Sequence, residues 1–307
     1  MWFKNLRLFR LPGPLEWTAE TLESQLAGRR ARSCGRMELS TVGWWPALGQ
    51  EGQPLVHASS GAWLLCAKRE DRVLPAAVVN EVTAARAAPF EEERGRPLRR
   101  KERQELRETV FQELLPQAFC LSSLQYGFLD PVGGWLVVDT GSAKRAEEWV
   151  SLLRETLGSL PVRPIAVRQS VTEVLTLWLH PDALPPDLAF GEECELRDSG
   201  DEGGVVRCRK LDLASDDVQC HIKSGRQVVR LMLEWEGRLS VVLDEELAIR
   251  RLKFTDLVQE EAGIQNDDDL ARFDAEFSLM VLELRRFLPR LLDLFGGEAS
   301  GEGSRIS

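Results

Sequence analysis

Residues 123–139 read SLQYGFLDPVGGWLVVD, and residues 143–157, shortly after, read AKRAEEWVSLLRETL. The first stretch is two largely apolar runs separated by Pro131-Val132-Gly133-Gly134, a proline and two glycines where a chain reverses, and predicts a β-hairpin. In the second, Trp149, Leu152, Leu153 and Leu157 recur at helical spacing before Gly158, predicting an amphipathic helix closed by a glycine. A hairpin that feeds a helix argues for an α+β fold built on antiparallel sheet.

The segments before the hairpin change character twice. Residues 76–94 and 98–115 read as helices around the breaker Gly95-Arg96-Pro97, with Pro97 suited to the first turn of the second. Leu106, Val110 and Leu114 form one thin apolar stripe, and Arg99, Arg100, Lys101, Arg103 and Arg107 lie off it. This predicts a helical hairpin arm inserted into the fold. Further upstream, residues 61–68 read as a buried strand, residues 5–11 as a strand stopped by Pro12, and residues 18–26 as a short helix capped by Thr18 with Leu22 and Leu26 inward.

Downstream, residues 160–164 carry two prolines and mark a domain boundary. Beyond it the patterns return. Residues 174–181 echo residues 5–12 as a strand ending in proline, residues 203–210 echo residues 61–68 with Cys208 at the place of Cys66, and residues 226–243 echo the hairpin. We expect two related antiparallel sheet-plus-helix units. The last helix is capped by Asp267 to Asp269 and carries Leu270, Phe273, Phe277, Met280, Leu284, Leu288, Leu291 and Phe295 on one face. Pro289 should kink it, Gly296-Gly297 should end it, and residues 296–307 read as a disordered tail.

Composition excludes several classes. With 43% hydrophobic and 29% charged residues, the 307-residue chain reads as folded, and no run approaches the ~20 apolar residues of a membrane span. The first seven residues lack the continuous apolar core of a signal peptide, so a cytoplasmic protein is expected. Cys34, Cys66, Cys120, Cys194, Cys208 and Cys220 are scattered without a Cys-x-x-Cys pair, and read as reduced structural thiols. His57, His180 and His221 stand apart, and no nucleophile elbow or phosphate loop is present. Asp267 to Asp269, with Asp274 and Glu276 nearby, suit a helix N-terminus on dipole grounds alone. No cofactor, no metal and no enzymatic activity are expected.

The basic residues say more. Lys68-Arg69 with Arg72, and Arg207, Arg209 and Lys210, end the two equivalent strands, while Lys144-Arg145 opens a helix and Arg250, Arg251 and Lys253 form a further cluster. Cations at a helix N-terminus oppose its dipole, which points to a phosphate-facing use. The net charge of −10 then requires segregation, with bases facing the ligand and acids facing out.

Trp2-Phe3-Lys4-Asn5-Leu6, Leu114-Leu115-Pro116 followed by Ala118-Phe119, Ser142-Ala143-Lys144, Leu157-Gly158-Ser159-Leu160-Pro161, Arg251-Leu252-Lys253-Phe254 and Arg272-Phe273-Asp274-Ala275 resemble the bacterial recombination-associated RdgC family. The resemblance runs from Trp2 to about Ala299 in the same order and spacing. It implies a nucleoid-associated protein that binds duplex DNA with little sequence preference and restrains the RecA recombinase by occupying its DNA. It also implies a ring-shaped homodimer with a basic hole, each subunit having a centre (residues 1–75 and 117–168), a helical tip (76–116) and a base (169–307).

Carried over by position, Arg209 and Lys210 line the hole, and Phe119 is a subunit contact near the tip. Gln117 and Leu211 depart from the family, standing where a basic and a polar residue can occur. The DNA-binding set expected is Arg207, Arg209, Lys210, Lys68, Arg69, Lys144 and Lys253. Two alternatives stay open: a protein–protein adaptor acting through residues 76–115, and a metal-dependent nuclease using Asp267 to Asp269.

Overall fold

The computed structural model describes residues 1–11, 13, 17–180, 182–198, 203–261 and 268–299. The chain begins with β1 (Leu6–Arg10), α1 (Ala19–Ala27), β2 (Ser40–Trp45), β3 (Val56–Ser59) and β4 (Ala62–Val73). Two helices follow, α2 (Ala76–Arg94) and α3 (Arg100–Leu114), then β5 (Phe119–Asp130), β6 (Trp135–Asp139) and α4 (Ala143–Leu157). Next come β7 (Arg163–Pro164), α5 (Val171–Trp178), β8 (Leu188–Arg197), β9 (Val205–Arg209) and α6 (Asp216–Lys223). The last elements are β10 (Gln227–Trp235), β11 (Leu239–Asp244), β12 (Ile249–Phe254), α7 (Asp256–Glu261) and α8 (Asp269–Leu294). The fold is α+β with a large antiparallel sheet, as the hairpin and helix of residues 123–157 predict. No helix among the described residues is long and apolar enough to cross a membrane.

The chain divides into two compact units. The larger comprises Met1–Thr21, Val56–Leu64 and the residues from Gly127 onward; the smaller comprises Leu22–Leu55 and Leu65–Tyr126. In the larger unit the strand order is β6-β1-β12-β11-β10-β8-β9, with β7 also on β1. β1 pairs β6 from Leu6↔Asp139 to Arg10↔Trp135, and Leu6↔Ile249 joins it to β12. The β10–β11 hairpin closes at Trp235↔Leu239 through Glu236 and Gly237, both at positive φ, a turn chemistry that matches strand twist.

One face of this sheet packs on helices. Phe277, Met280, Leu284, Phe287, Leu288 and Leu291 of α8 are buried, and each full burial contributes roughly 1.5–3 kcal/mol. The Trp235 and Phe287 rings meet with centroids 5.3 Å apart, as do those of Trp178 in α5 and Phe295. The decisive hairpin is tied in twice. A Cβ on Gly127 would sit 2.7 Å from the Trp149 ring of α4, so only glycine lets that indole lie flat on β5. Asp130, 1% exposed, accepts two hydrogen bonds from Arg285 of α8 (2.9 and 2.6 Å) and one from the Gly133 amide (3.0 Å).

In the smaller unit β2 pairs β4 from Ser40↔Asp71 to Trp45↔Cys66. A Cβ on Gly43 would meet the Ala31 backbone at 2.7 Å, and its absence lets residues 29–31 hydrogen-bond along β2 through Trp44. α2 and α3 lie side by side, joined by Arg86–Glu113 (2.6 Å) and Arg103–Glu91 (3.6 Å). Val79, Thr83 and Ala87 are buried on α2, while α3 buries only Val110 of the expected Leu106, Val110 and Leu114, the other two being half-buried.

Several expectations are corrected. Residues 174–178 are not a strand: Val171, Val174, Leu175 and Trp178 fall at i, i+3, i+4 and i+7 of α5, and the Ser170 side chain accepts from the Glu173 amide. The β-branched residues imitate a strand, but the Ser-x-x-Glu start and the helical period win. The proposed echo of residues 5–12 therefore fails at this element, and Pro12 and Pro181 lie outside the described residues. Pro97 is not in the first turn of α3: Arg99 is the N-cap, its amide donating to Glu102 (2.8 Å), and Pro97 stays in the connection. α8 starts from Asp268, which accepts from the Leu270 amide (2.9 Å), and runs through Pro289 to Leu294; Asp267 lies outside the described residues. Gly296–Ala299 is not a loose tail. Glu298 bridges Val167 and pairs with Arg163 (2.8 Å), while residues 300–307 lie outside the described residues.

Candidate functional site

The other face of the larger unit's sheet is built, at β8, β10 and β11, from alternate residues of those strands. In β10, Leu231, Leu233 and Trp235 point to the core, which leaves Arg230 and Met232 on the open face. In β11, Val241 and Leu243 point in and Val242 points out. β9 presents Arg207 and Arg209 beside Glu195 and Glu193 of β8, their register partners.

β12 breaks alternation. Between Ser240↔Lys253 and Val242↔Arg250 it carries one more residue than β11, and Arg251 occupies the extra place with φ 51°. This β-bulge lets Arg250, Arg251 and Lys253 share the outer face while Ile249, Leu252 and Phe254 stay buried.

A cavity of about 350 Å³ opens there, lined by Arg207, Arg209, Arg230, Arg250, Arg251 and the two glutamates, with Asn5 at its edge. Glu195, 7% exposed, is shared by Arg207 (2.8 Å) and Arg230 (3.3 Å). Glu193 is shared by Arg251 (2.6 Å) and Arg209 (3.3 Å). Four guanidiniums thus divide two carboxylates, and the surplus charge is positive. Hydrogen bonding from Arg251, with Arg209 adding to it, holds the Glu193 carboxyl below its usual range, and the same contact raises Arg251. A guanidinium has five N–H donors, so one held by a glutamate still offers several to a ligand. Arg207 and Arg209 are 63% and 68% exposed at their side chains. Arg250 is held by buried Asp244 (2.7 Å).

Lys210 follows β9 with φ 53° and lines a neighbouring hollow with Arg209, Arg251, Glu192 and Met232. Lys144 stands in the first turn of α4, whose N-cap Ser142 accepts from the Arg145 amide. Gly141, just before it, lies so close to Arg250 that a Cβ there would sit 2.7 Å from the guanidinium. Arg207, Arg209 and Lys210 therefore share one region of the sheet, with the α4 N-terminus against Arg250, while Lys253 lies further along β12 opposite Ser240.

Lys68 and Arg69 belong to the smaller unit. Lys68 lies over the Trp45 ring at 4.1 Å, and Arg69 pairs with Asp71 at 2.9 Å. Phe119, also there, opens β5 with 87% exposure. Sequence reasoning missed Arg230, Glu193 and Glu195. A single arginine inside Val228-Val229-Arg230-Leu231-Met232 was a usable signal for the first; nothing local marked the glutamates.

An anion should seat on this face through charge-assisted bonds to the exposed guanidiniums. Glu193→Gln removes one competing carboxylate, and we expect a generic polyanion such as heparin to bind about fivefold tighter at ~0.1 M salt, where one unit of charge is worth slightly under tenfold. Fluorescence anisotropy checks this, and weaker binding by the variant would contradict the role given to Glu193.

Comparison with known proteins adds a family. Residues 1–298 match the family model described as "Putative exonuclease, RdgC". A "Recombination-associated protein RdgC" of Pseudomonas fluorescens (strain Pf0-1) is 40% identical over 305 residues, covering 99% of this chain and all of the relative. Proteins of the same name from Pseudomonas aeruginosa (strain PAO1) and Pseudoalteromonas atlantica (strain T6c) are 41% and 42% identical over 305 and 296 residues. They cover 99% and 96% of this chain, and 100% and 98% of the relatives.

Proposed function

The chain belongs to the RdgC family, and on that premise we propose that it grips duplex DNA without reading sequence, encircles it as a homodimer, and restrains RecA by competing for DNA. The observation that carries this reading is the arginine face, where Arg207, Arg209, Arg230, Arg250 and Arg251 converge from three strands on one cavity. Guanidiniums on a sheet face suit phosphates, which position a protein on DNA without specifying bases. Charge segregation of this kind also accommodates the net charge of −10. In this proposal Lys210, Lys253 and Lys144 extend the face. Lys68 and Arg69, each already engaged within the smaller unit, contribute less. The centre, tip and base division carries over, with α2 and α3 as a helical arm forming the tip and Phe119 as a subunit contact. The protein then acts at the nucleoid.

The name of the matching family model favours a second reading, an exonuclease. Among the described acids at the α8 start, Asp268 caps the helix and Asp269 pairs with Arg272 at 3.0 Å, so both have structural work. Incubating linear duplex and supercoiled plasmid with the protein and magnesium or manganese should leave both intact. Degradation that disappears in Asp268→Asn would replace the binding reading with the nuclease. The adaptor alternative, acting through α2 and α3, is separated by pulldown from nuclease-treated extract, where a DNA binder loses most of its company.

A further inference from the structure

The smaller unit holds a cluster that duplex binding does not use. Cys34 precedes β2, Glu70 lies in β4 opposite Thr41, and Cys120 is the second residue of β5. The two sulfurs and a Glu70 carboxylate oxygen all lie within 4.8 Å of one another. Among the described residues no other group of three or more histidine, cysteine, aspartate or glutamate side chains converges in this way.

The cluster is ordered from several sides. The Glu70 carboxylate accepts the Cys34 amide at 2.8 Å and the Ser122 hydroxyl at 3.4 Å, and it is 9% exposed. The Cys34 thiol donates to the Glu70 carbonyl at 3.1 Å, and the Cys120 thiol lies against the carboxylate. Arg72 bonds the carbonyls of Gly35, Leu115 and Ala118, fixing the chain on both flanks of the cluster. Cys120 is exposed, so an ion has a way in.

We propose that Cys34, Glu70 and Cys120 form a three-ligand site for a zinc-class divalent cation, with water in the fourth position. Two soft thiolates beside one carboxylate favour zinc over magnesium or calcium, which take oxygen ligands. Tetrahedral zinc, at ~2.3 Å from sulfur and ~2.0 Å from oxygen, needs ligand atoms roughly 3.5–3.8 Å apart, a contraction that side-chain rotation can deliver. Binding displaces the thiol protons, so affinity falls as pH falls. The ligands are far apart in sequence and share no motif, which is why spacing alone reads these cysteines as structural.

Cobalt(II) is the probe. Added to the full chain under a phosphine reductant, one equivalent should give thiolate-to-cobalt charge-transfer absorption and the visible bands of a tetrahedral site, and excess zinc should bleach both. Cys34→Ser and Cys120→Ser should each cut the charge-transfer intensity per cobalt by at least about half, whereas Cys220→Ser should leave it unchanged. Circular dichroism identifies which variants are folded. Zinc competition with a chromophoric chelator gives a second readout, expected to weaken more than about 100-fold in Cys120→Ser. No charge-transfer band in the wild type, or an undiminished band in a folded Cys34→Ser or Cys120→Ser variant, overturns the site.

Discussion

Replacing Asp130 by alanine is expected to lower stability by about 3–5 kcal/mol, the loss usual when one partner of a buried ion pair is removed. Asp130 is almost fully buried, and Arg285 binds both its carboxylate oxygens. The same carboxylate caps the β5–β6 turn through the Gly133 amide. Its loss leaves a guanidinium at 19% side-chain exposure and a turn amide without their acceptor. The cost should appear as a lower denaturant midpoint at unchanged slope. Arg285→Ala should cost a similar amount, because it strands the buried carboxylate instead. The double variant should cost far less than the sum of the two. Full additivity would mean that the pair is not the unit holding the hairpin to α8.

The second large effect concerns the ligand. Arg207→Ala/Arg209→Ala/Arg251→Ala should weaken duplex binding by about 100-fold at ~0.1 M salt. Each neutralised phosphate contributes about 0.9 to the slope of log affinity on log salt, which makes one contact worth roughly eightfold at that concentration. Three contacts would give several hundredfold. Sharing of Glu193 and Glu195 reduces the effective charge lost and brings the figure down. Glu195 keeps Arg230 in the variant, so the sheet should remain folded. A change below threefold in a folded variant would remove these side chains from the interface.

Much of the architecture was legible because local signals agreed. Helix α4 lies where the Trp149 and Leu153 spacing and the Gly158 stop place it, and the hairpin turns at Gly133-Gly134. The strand expected at α5 rested on its echo of residues 5–12, an apolar run ending in proline, which outweighed a short capping signal at Ser170 and Glu173. At the candidate site the bases were visible in clusters, but what organises them was not. Glu193 and Arg251 meet across 58 residues of sequence. The bulge at Arg251 turns two consecutive arginines to one face against the period of the strand. Such pairings belong to register, and register is set by the whole sheet.

The central claim is that this face holds phosphates and does not read bases. The direct measurement is duplex affinity across a salt series, on two unrelated sequences, for the wild type and Arg209→Ala/Lys210→Ala. The account predicts equal affinity for the two duplexes, and a log–log slope shallower in the variant by about 1.8, or 0.9 for each lost phosphate contact. An unchanged slope, or a strong preference for one duplex, would contradict it.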